Sequence, residues 1–303
     1  MVFSGGAQSL KQRHDPMESR PCLFITGAAA GIGRATARLF CRQGWFVGLA
    51  DIDRAGLLAL SEELGDHNAM ALSLDVACPE QWQAALSAFH QRTGRLDVLV
   101  NNAGILISGP FESNPLARHH AVVDVNLKGL LNGCYLAKPY LAATPQARVI
   151  NLSSTAALYG QASLATYSTT KCAVRGLTEA LNVEWQADGI RVMDIMPMFV
   201  QTDMLTAINA RSMDRLGARL TAEEVARTLW AAATYRGGFG KAHWPVGSLA
   251  TWLMRLTRLA PDRLNRFIAK RVATWLPGRL MACASAYRGY AAWHWCRNLL
   301  SKR

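Results

Sequence analysis

The stretch that decides the fold runs from Cys22 to Phe40 and has the sequence CLFITGAAAGIGRATARLF. Its short apolar beginning, Cys22 to Ile25, predicts a buried strand, and the residues from Arg34 onward are typical of a helix. A glycine-rich turn with the spacing G-x-x-x-G-x-G lies between them. This order suits a dinucleotide, because glycines let the backbone approach a pyrophosphate and a helix N-terminus supplies unpaired N–H groups.

The same alternation of strand and helix continues along the chain. Strands are predicted near residues 22–26, 45–50, 69–74, 96–101, 147–152, 190–196 and 242–246. Helices are predicted near 32–43, 54–64, 79–93, 115–141, 165–187 and 221–235, and glycines 44, 65, 94 and 189 stand where helices should end. Continuously apolar strands favour a parallel sheet that is covered on both faces. The predicted fold is therefore α/β, a single doubly wound (Rossmann) parallel sheet followed by a C-terminal helical extension.

Several polar or glycine residues fall at the ends of these predicted strands. They are Gly27, Asp51, Asn101, Ser154 and Pro197. Ligands of a doubly wound sheet bind at the carboxyl ends of its strands. We therefore expect these residues, which are distant in sequence, to meet in one crevice.

Tyr167 and Lys171 stand four residues apart in a predicted helix, so they share a face of it. A fixed cation favours the phenolate form of a nearby tyrosine, which could then exchange a proton with an alcohol or ketone. A Ser154 hydroxyl at the same place could hold the substrate oxygen. The pair taken alone could equally be a surface contact worth a few tenths of a kcal/mol.

Together with Asn101-Asn102-Ala103-Gly104 and Asn126, these motifs resemble the short-chain dehydrogenase/reductase family of the classical type, over about residues 21 to 246. The resemblance implies an oxidoreductase that moves hydride between a nicotinamide and a carbinol or carbonyl carbon. It implies that Tyr167 is the acid/base, that Lys171 lowers the tyrosine pKa and holds the nicotinamide ribose, and that Ser154 is a donor to the substrate oxygen. Asn126 would organise a water beside the lysine in a proton relay.

The cofactor site is predicted from the glycine turn, the strand ends and the family resemblance. Its residues are Gly27, Gly31, Ile32, Gly33, Asp51, Asp75, Val76, Asn102, Ala103, Gly104, Tyr167, Lys171, Pro197, Val200 and Thr202. Asp51 could accept hydrogen bonds from an unsubstituted ribose and repel a 2'-phosphate, which favours NAD. Arg34, directly after the glycine turn, is the argument for NADP. Asp75 could equally be only a strand-end cap, and Met198 replaces a glycine that is usual in the family.

The segment after the sixth strand predicts the substrate class. Methionines and other large apolar residues crowd it, at Met196, Met198, Phe199, Met204, Leu205, Ile208 and Met213, although each could simply pack in the core. No basic residue precedes Arg211 there, so no carboxylate or phosphate clamp is predicted. The favoured function is oxidation or reduction of a lipid-like or steroid-like secondary alcohol or ketone. The alternatives are an inactive nicotinamide-binding sensor or scaffold and an NADPH-preferring carbonyl reductase.

Composition excludes several other classes. Half of the 303 residues are apolar, enough for a substantial core. The seven cysteines include no C-x-x-C pair and the seven histidines no ligand spacing, so we expect neither a disulfide framework nor a metal site. Residues 1–20 resemble a flexible leader without a secretory apolar run, and no stretch is long and apolar enough to span a membrane. A cytoplasmic location is expected.

The last part of the chain differs in charge from the rest. We divide the chain into the leader, a catalytic domain over 21–248 and a basic amphipathic helical extension over 249–303. Residues 250–303 hold eleven Lys or Arg and one acid, which is +10 of the net charge of +12. Three explanations stay open: peripheral contact with an anionic membrane, a lid or subunit contact within a homo-oligomer, and nucleic-acid binding, which the apolar stripes disfavour.

Overall fold

A computed structural model describes residues 20–202 and 220–259, together with residues 261 and 263. Its centre is a seven-stranded sheet in which every strand pairs in parallel with its neighbours, in the order β3-β2-β1-β4-β5-β6-β7. The strands are β1 (Cys22–Thr26), β2 (Phe46–Asp51), β3 (Ala69–Ser73), β4 (Val98–Asn101), β5 (Arg148–Leu152), β6 (Arg191–Met196) and β7 (His243–Pro245). The order reverses between β1 and β4, which is where a doubly wound sheet opens its ligand crevice.

Helices cover both faces of this sheet. They are α1 (Gly31–Arg42), α2 (Arg54–Leu64), α3 (Pro79–Thr93), α4 (Leu116–Val123), α5 (Gly129–Ala142), α6 (Ala165–Glu184), α7 (Ala222–Ala233) and α8 (Ser248–Leu259). One hydrophobic cluster joins the sheet to α1, α2 and α7, and a second joins it to α3, α5 and α6. Alternate residues of β1 enter opposite clusters, Leu23 and Ile25 in the first and Cys22 and Phe24 in the second. This explains why the strand is apolar at every position from Cys22 to Ile25.

The predicted doubly wound parallel sheet is confirmed, and among the described residues two of the predicted helices differ from a regular helix. The first is the long helix predicted over 115–141. It is interrupted by a π-helical turn at Asp124–Lys128, which separates α4 from α5. The predicted helix over 165–187 is α6 followed by a 3-10 turn at Trp185–Asp188. Gly94 and Gly189 adopt the left-handed conformation at helix ends, where the sequence places stops.

Residues 1–19 of the predicted leader, the apolar positions from Met204 to Met213 and nearly all of the predicted extension after α8 lie outside the described residues. The division into leader, catalytic domain and extension stays a prediction. Among the helices that the structure describes, none has the length and apolar character required to cross a bilayer.

Candidate active site

A cavity of about 370 Å³ opens at the carboxyl ends of the central strands. Its wall combines the loops that follow β1, β2, β3, β4, β5 and β6 with the first turns of α6. The predicted site residues in the wall are Gly27, Gly31, Ile32, Asp51, Asp75, Val76, Asn102, Ala103, Gly104, Ser154, Tyr167, Lys171, Pro197, Val200 and Thr202. Three residues that the sequence analysis placed at the site, Gly33, Asn101 and Asn126, do not line the cavity.

The glycine turn between β1 and α1 is shaped by conformations that other residues rarely adopt. Gly27 and Gly31 have φ values of 66° and 50°. Gly33 lies inside the turn, where an added Cβ would overlap the carbonyl oxygen of Gly27. The turn therefore presents bare backbone to the cavity and leads directly into the N-terminus of α1.

Two side chains hold this turn against the end of β4. The Asn102 amide nitrogen donates to the carbonyl oxygens of Thr26 and Gly27, at 2.8 and 3.0 Å. In return, the Thr26 hydroxyl accepts from the backbone N–H groups of Asn102 and Ala103, at 3.0 and 3.1 Å. Because every one of these groups is committed to the turn, Asn102 shapes the cavity and has no amide hydrogen to spare.

Asp51, at the end of β2, supports the turn from the other side. Its carboxylate accepts from the backbone N–H groups of Ala29 at 2.9 Å and Asp53 at 3.1 Å, and the residue also lines the cavity. Asp75 accepts from the backbone N–H of Ala77 at 2.9 Å, so it does cap the end of its strand, and it lines the cavity as well. Both carboxylates thus combine a structural contact with a place in the wall.

Tyr167 and Lys171 lie on the same face of α6, as their spacing predicts, with the lysine Nζ 5.5 Å from the centre of the tyrosine ring. The lysine is 6% exposed, and its Nζ donates to the carbonyl oxygen of Leu152 at 2.7 Å. Burial lowers the pKa of Lys171 to about 8.

The pKa of Tyr167 is raised, whereas the sequence analysis expected Lys171 to lower it. Burial raises the pKa of Tyr167 to about 12, and a hydrogen bond with Ser154 opposes that rise. Removing the phenolate from water is the larger of these two effects. Tyr167 is therefore a protonated phenol at neutral pH in this site.

Ser154 follows β5 and connects the phenol to the loop after β6. Its Oγ accepts from the backbone N–H of Ala156 at 3.1 Å and lies 3.4 Å from the carbonyl oxygen of Pro197. The Pro197 carbonyl also accepts from the backbone N–H of Thr155 at 3.0 Å. The serine hydrogen has only a long contact there, so it can turn toward a ligand oxygen beside Tyr167.

Asn126 occupies the π-helical turn and is 1% exposed. Its amide exchanges two hydrogen bonds with the backbone of Ile105, at 2.8 and 2.9 Å, and its Nδ2 lies 3.3 Å from the Thr170 hydroxyl. The side chain thus joins the loop after β4 to α6, one residue before Lys171. Its predicted part in a proton relay stays a prediction.

The loop after β6 closes the cavity over the glycine turn. A Cβ built on Gly31 would lie 3.1 Å from the Thr202 methyl, and Val200 pairs with Leu220. Met198, which replaces the usual glycine, lines the cavity beside Phe199. The predicted apolar residues from Met204 onward lie outside the described part of the chain.

The sequence analysis missed cavity residues in two irregular loops. Ile105 and Leu106 follow β4, whereas Tyr159, Gln161 and Leu164 lie between β5 and α6. None belongs to a periodic element, so hydrophobic patterning could not assign them a face. The sequence did contain a signal for both loops. One directly follows a predicted strand end, and the other lies between Ser154 and Tyr167, so both could have been expected near the site.

Comparison with known proteins agrees with this geometry. A family model described as short chain dehydrogenase matches residues 21–212. A 3-oxoacyl-[acyl-carrier-protein] reductase of Thermotoga maritima is 32% identical over 206 residues, which cover 67% of this chain and 83% of the relative. A 3-alpha-(or 20-beta)-hydroxysteroid dehydrogenase of Mycobacterium tuberculosis is 38% identical over 182 residues, covering 60% and 69%.

A solved structure shows the same similarity in three dimensions. The crystal structure of a 3-ketoacyl-(acyl-carrier-protein) reductase from Brucella melitensis, complexed with NADH, superimposes with a TM-score of 0.70. It is 27% identical and covers 76% of this chain and 97% of its own.

Proposed function

The chain belongs to the short-chain dehydrogenase/reductase family, and we propose on that premise that it transfers hydride between NAD and a hydrophobic secondary alcohol or ketone. Membership makes it an oxidoreductase that acts on alcohol or ketone groups with a nicotinamide cofactor. The observation that supports the proposal most is the meeting of Ser154, Tyr167 and Lys171 in one cavity with the glycine turn.

The residues present fit a dinucleotide. The bare backbone of Gly27 and Gly31 would hold the pyrophosphate at the N-terminus of α1. Gly33 maintains the turn that presents this backbone, because a side chain there would overlap the Gly27 carbonyl. Asp75, Val76, Ala103 and Gly104 would flank the rest of the cofactor, and Pro197, Val200 and Thr202 would face the nicotinamide. When bound, the nicotinamide supplies or accepts the hydride.

The side chains of the chain itself handle the proton. In ketone reduction the Ser154 hydroxyl would donate a hydrogen bond to the carbonyl oxygen, and the Tyr167 hydroxyl would give its proton to that oxygen as charge develops there. In alcohol oxidation the same proton would return to the phenolate. Lys171 keeps two N–H donors beyond its bond to Leu152, which suit the ribose hydroxyls.

The high pKa of Tyr167 favours one direction of this reaction. A phenol whose pKa is raised to about 12 is protonated at neutral pH, so it is ready to donate. We therefore propose that ketone reduction is the faster direction near neutral pH. Alcohol oxidation should accelerate as pH rises toward that pKa, because it requires the phenolate.

Asp51 supports NAD as the cofactor. It is an acidic residue in the cavity wall at the end of β2, where a 2'-phosphate would meet a like charge. Arg34, the residue that would favour NADP, does not line the cavity. An NADPH-preferring carbonyl reductase is the alternative that the same geometry allows if Asp51 turns away.

The cavity wall supports a hydrophobic substrate. Away from the glycine turn it consists mainly of apolar side chains, at Ile105, Leu106, Leu164, Met198 and Phe199. Lys171 is the sole basic side chain among the described residues that line it. With that lysine committed to the cofactor and the acid/base pair, no further cationic side chain among the described lining residues remains to bind a substrate carboxylate or phosphate.

We also propose peripheral contact with an anionic membrane through residues 249–303. Three apolar side chains of α8 form an exposed helical stripe, Leu249, Trp252 and Leu256, which are 54%, 60% and 53% exposed. The Arg255 guanidinium lies 5.8 Å from the Trp252 ring centre. Since α8 also contacts the 3-10 turn Thr155–Ala157 of the cavity wall, an apolar substrate could enter from the lipid side.

The central experiment follows nicotinamide absorbance with purified protein and a panel of steroid, retinoid and long-chain substrates, using NADH or NADPH with the ketones and NAD or NADP with the alcohols. Wild-type protein should turn over at least one apolar substrate, and Tyr167→Phe should abolish turnover while NADH binding persists, because one proton carrier and little volume are removed. Normal turnover in Tyr167→Phe would refute the acid/base assignment. Binding of NADH without turnover in the wild type would support the inactive sensor instead.

A further inference from the structure

Gln161 is a buried amide in the cavity wall whose nitrogen has no partner. The residue is 7% exposed, and its Nε2 makes no hydrogen bond. Six described side chains contain such an unpartnered buried atom, and of these only Gln161 lines the cavity. Leaving a buried donor unsatisfied is unfavourable, so its presence in a ligand site points to a ligand as the missing partner.

The backbone at Gln161 is held in a defined turn. The backbone N–H of Leu164 donates to the Gln161 carbonyl at 3.1 Å, and Ser163 between them has a φ of 66°, which is rare for a residue with a side chain. This conformation is fixed from outside, because the Ser163 carbonyl accepts from the backbone N–H of Gly109 at 3.0 Å. A strained turn that its surroundings over-determine is typical of functional sites.

A second contact ties the glutamine to the acid/base helix. The backbone N–H of Gln161 donates to the hydroxyl of Ser168 at 3.2 Å, and Ser168 is the neighbour of Tyr167 on α6. The position of Gln161 relative to the phenol is therefore set by a direct hydrogen bond between their elements.

The other side-chain amide in the wall cannot serve the same purpose. Asn102 gives its nitrogen to two backbone carbonyls of the glycine turn. The same wall contains apolar side chains, among them Leu106, Leu164 and Phe199. A neutral amide donor in such a wall favours a ligand that is mostly hydrocarbon and has a hydrogen-bond acceptor within reach of that donor.

We infer that Gln161 donates a hydrogen bond to a second oxygen of the substrate, separate from the oxygen held by Ser154 and Tyr167. The inference rests on the proposed function, and it narrows the substrate to an apolar ketone or alcohol that also bears a carbonyl, ester or ether oxygen. The covalent change stays that of the proposed reaction, because Gln161 only binds and orients.

The test uses methyl oxodecanoates with the ketone at different distances from the ester, each paired with the dodecanone of equal chain length that lacks the ester. The measured quantity is the ratio of kcat/KM between the two members of a pair, which cancels any effect that a substitution has on both. For one position of the ketone, the kcat/KM of the wild-type protein should be about tenfold higher for the keto ester than for its paired dodecanone. This is the effect expected of one hydrogen bond to an otherwise unpaired group. In Gln161→Leu the ratio should fall to about 1.

Gln91→Leu is the matched control, because Gln91 is exposed on α3 and does not line the cavity, and it should keep the wild-type ratio. The same pairs are titrated by calorimetry into the NADH complex of Tyr167→Phe, with and without Gln161→Leu. Gln161 has no such role if Gln161→Leu leaves the ratio unchanged both in kcat/KM and in the dissociation constants. That result would not affect the proposed oxidoreductase activity. A third outcome is that Gln161→Leu loses the preference for the keto ester in the dissociation constants while the wild type turns over none of these substrates. That outcome would support the role of Gln161 and refute the proposed function.

Discussion

Lys171 shows what a single buried cation costs the fold. Its pKa is lowered to about 8, whereas a lysine in the unfolded chain titrates at about 10.4. Between these values the unfolded state binds the proton and the folded state does not, so the free energy of unfolding rises with pH across that window. Below about pH 8 the buried charge lowers the free energy of unfolding by its full amount, about 3 kcal/mol.

We predict that Lys171→Met gains stability relative to wild type as pH falls from about 10.5 to about 7, by up to about 3 kcal/mol. The hydrogen bond to Leu152 is lost at both pH values, so it cancels in the comparison. Urea denaturation of both proteins at the two pH values measures the difference. Lys128→Met, at an exposed ion pair with Asp124, serves as the control and should show little pH dependence. An equal effect of Lys171→Met at both pH values would contradict the burial argument.

Asp51 can be tested by a change that preserves its shape. Asp51→Asn removes the charge that would repel a 2'-phosphate but keeps one oxygen for the backbone N–H of Ala29. The preference for NAD over NADP, taken as the ratio of kcat/KM values, should fall by about tenfold, which corresponds to about 1.4 kcal/mol. Asp53→Asn is the control, because Asp53 is exposed, caps α2 and does not line the cavity. If both variants keep the wild-type ratio, Asp51 does not select the cofactor.

At the scale of elements, the π-helical turn explains how the loop after β4 is fixed. A helix that continued regularly through 115–141 would have placed Asn126 differently relative to Ile105. In the π turn its amide reaches both backbone groups of Ile105 and also Thr170. Turns of this kind inside helices are frequent at functional sites.

Asn126→Ala should lower the free energy of unfolding by about 3 kcal/mol, because it leaves both backbone groups of Ile105 without their partner. Asn132→Ala on α5 is the matched comparison. Asn132 makes one hydrogen bond, at 3.0 Å to the Val76 carbonyl, so its loss should be about 1 kcal/mol. Urea denaturation measures both values. Equal losses would show that the clamp on Ile105 contributes nothing beyond an ordinary hydrogen bond.

These elements also show where sequence reasoning succeeds. β1 and β5 were predictable because both of their faces are buried, so most of their positions are apolar. The π turn was not, because the contacts that Asn126 makes from it reach Ile105 in the loop after β4, which local spacing does not reveal. The same holds for Gln161, whose significance lies in the absence of a partner, a property that only the folded surroundings define.

For the whole molecule, topology decided how much of the site could be foreseen. Strand ends that converge at the carboxyl edge of the sheet brought Gly27, Asp51 and Ser154 to one cavity, as a parallel sheet requires, and the first turn of α6 adds Tyr167. The pKa of Tyr167 could not be foreseen in the same way. It depends on how much water the assembled cavity excludes, whereas the spacing to Lys171 reveals only the neighbouring charge.

Charge is distributed unevenly over the molecule, and this makes the proposed membrane contact testable. Residues 1–249 hold 22 basic and 20 acidic side chains, so nearly all of the excess positive charge lies in residues 250–303. Each basic residue near an anionic surface contributes about 1 kcal/mol, and exposed tryptophan and leucine add apolar insertion. Attraction that depends on charge should weaken as salt rises.

The full chain should therefore float with vesicles of phosphatidylcholine and phosphatidylglycerol at low salt, and much less with phosphatidylcholine alone. Trp252→Ala should reduce the bound fraction several-fold, because it removes the largest side chain of the exposed stripe on α8. Tyr135→Ala is the matched control, since Tyr135 is an aromatic residue on α5 that is 80% exposed and lies outside that stripe. Equal flotation with both kinds of vesicle would argue against a role for the basic extension. Equal loss in the two variants would show that the stripe of α8 has no special part in the contact.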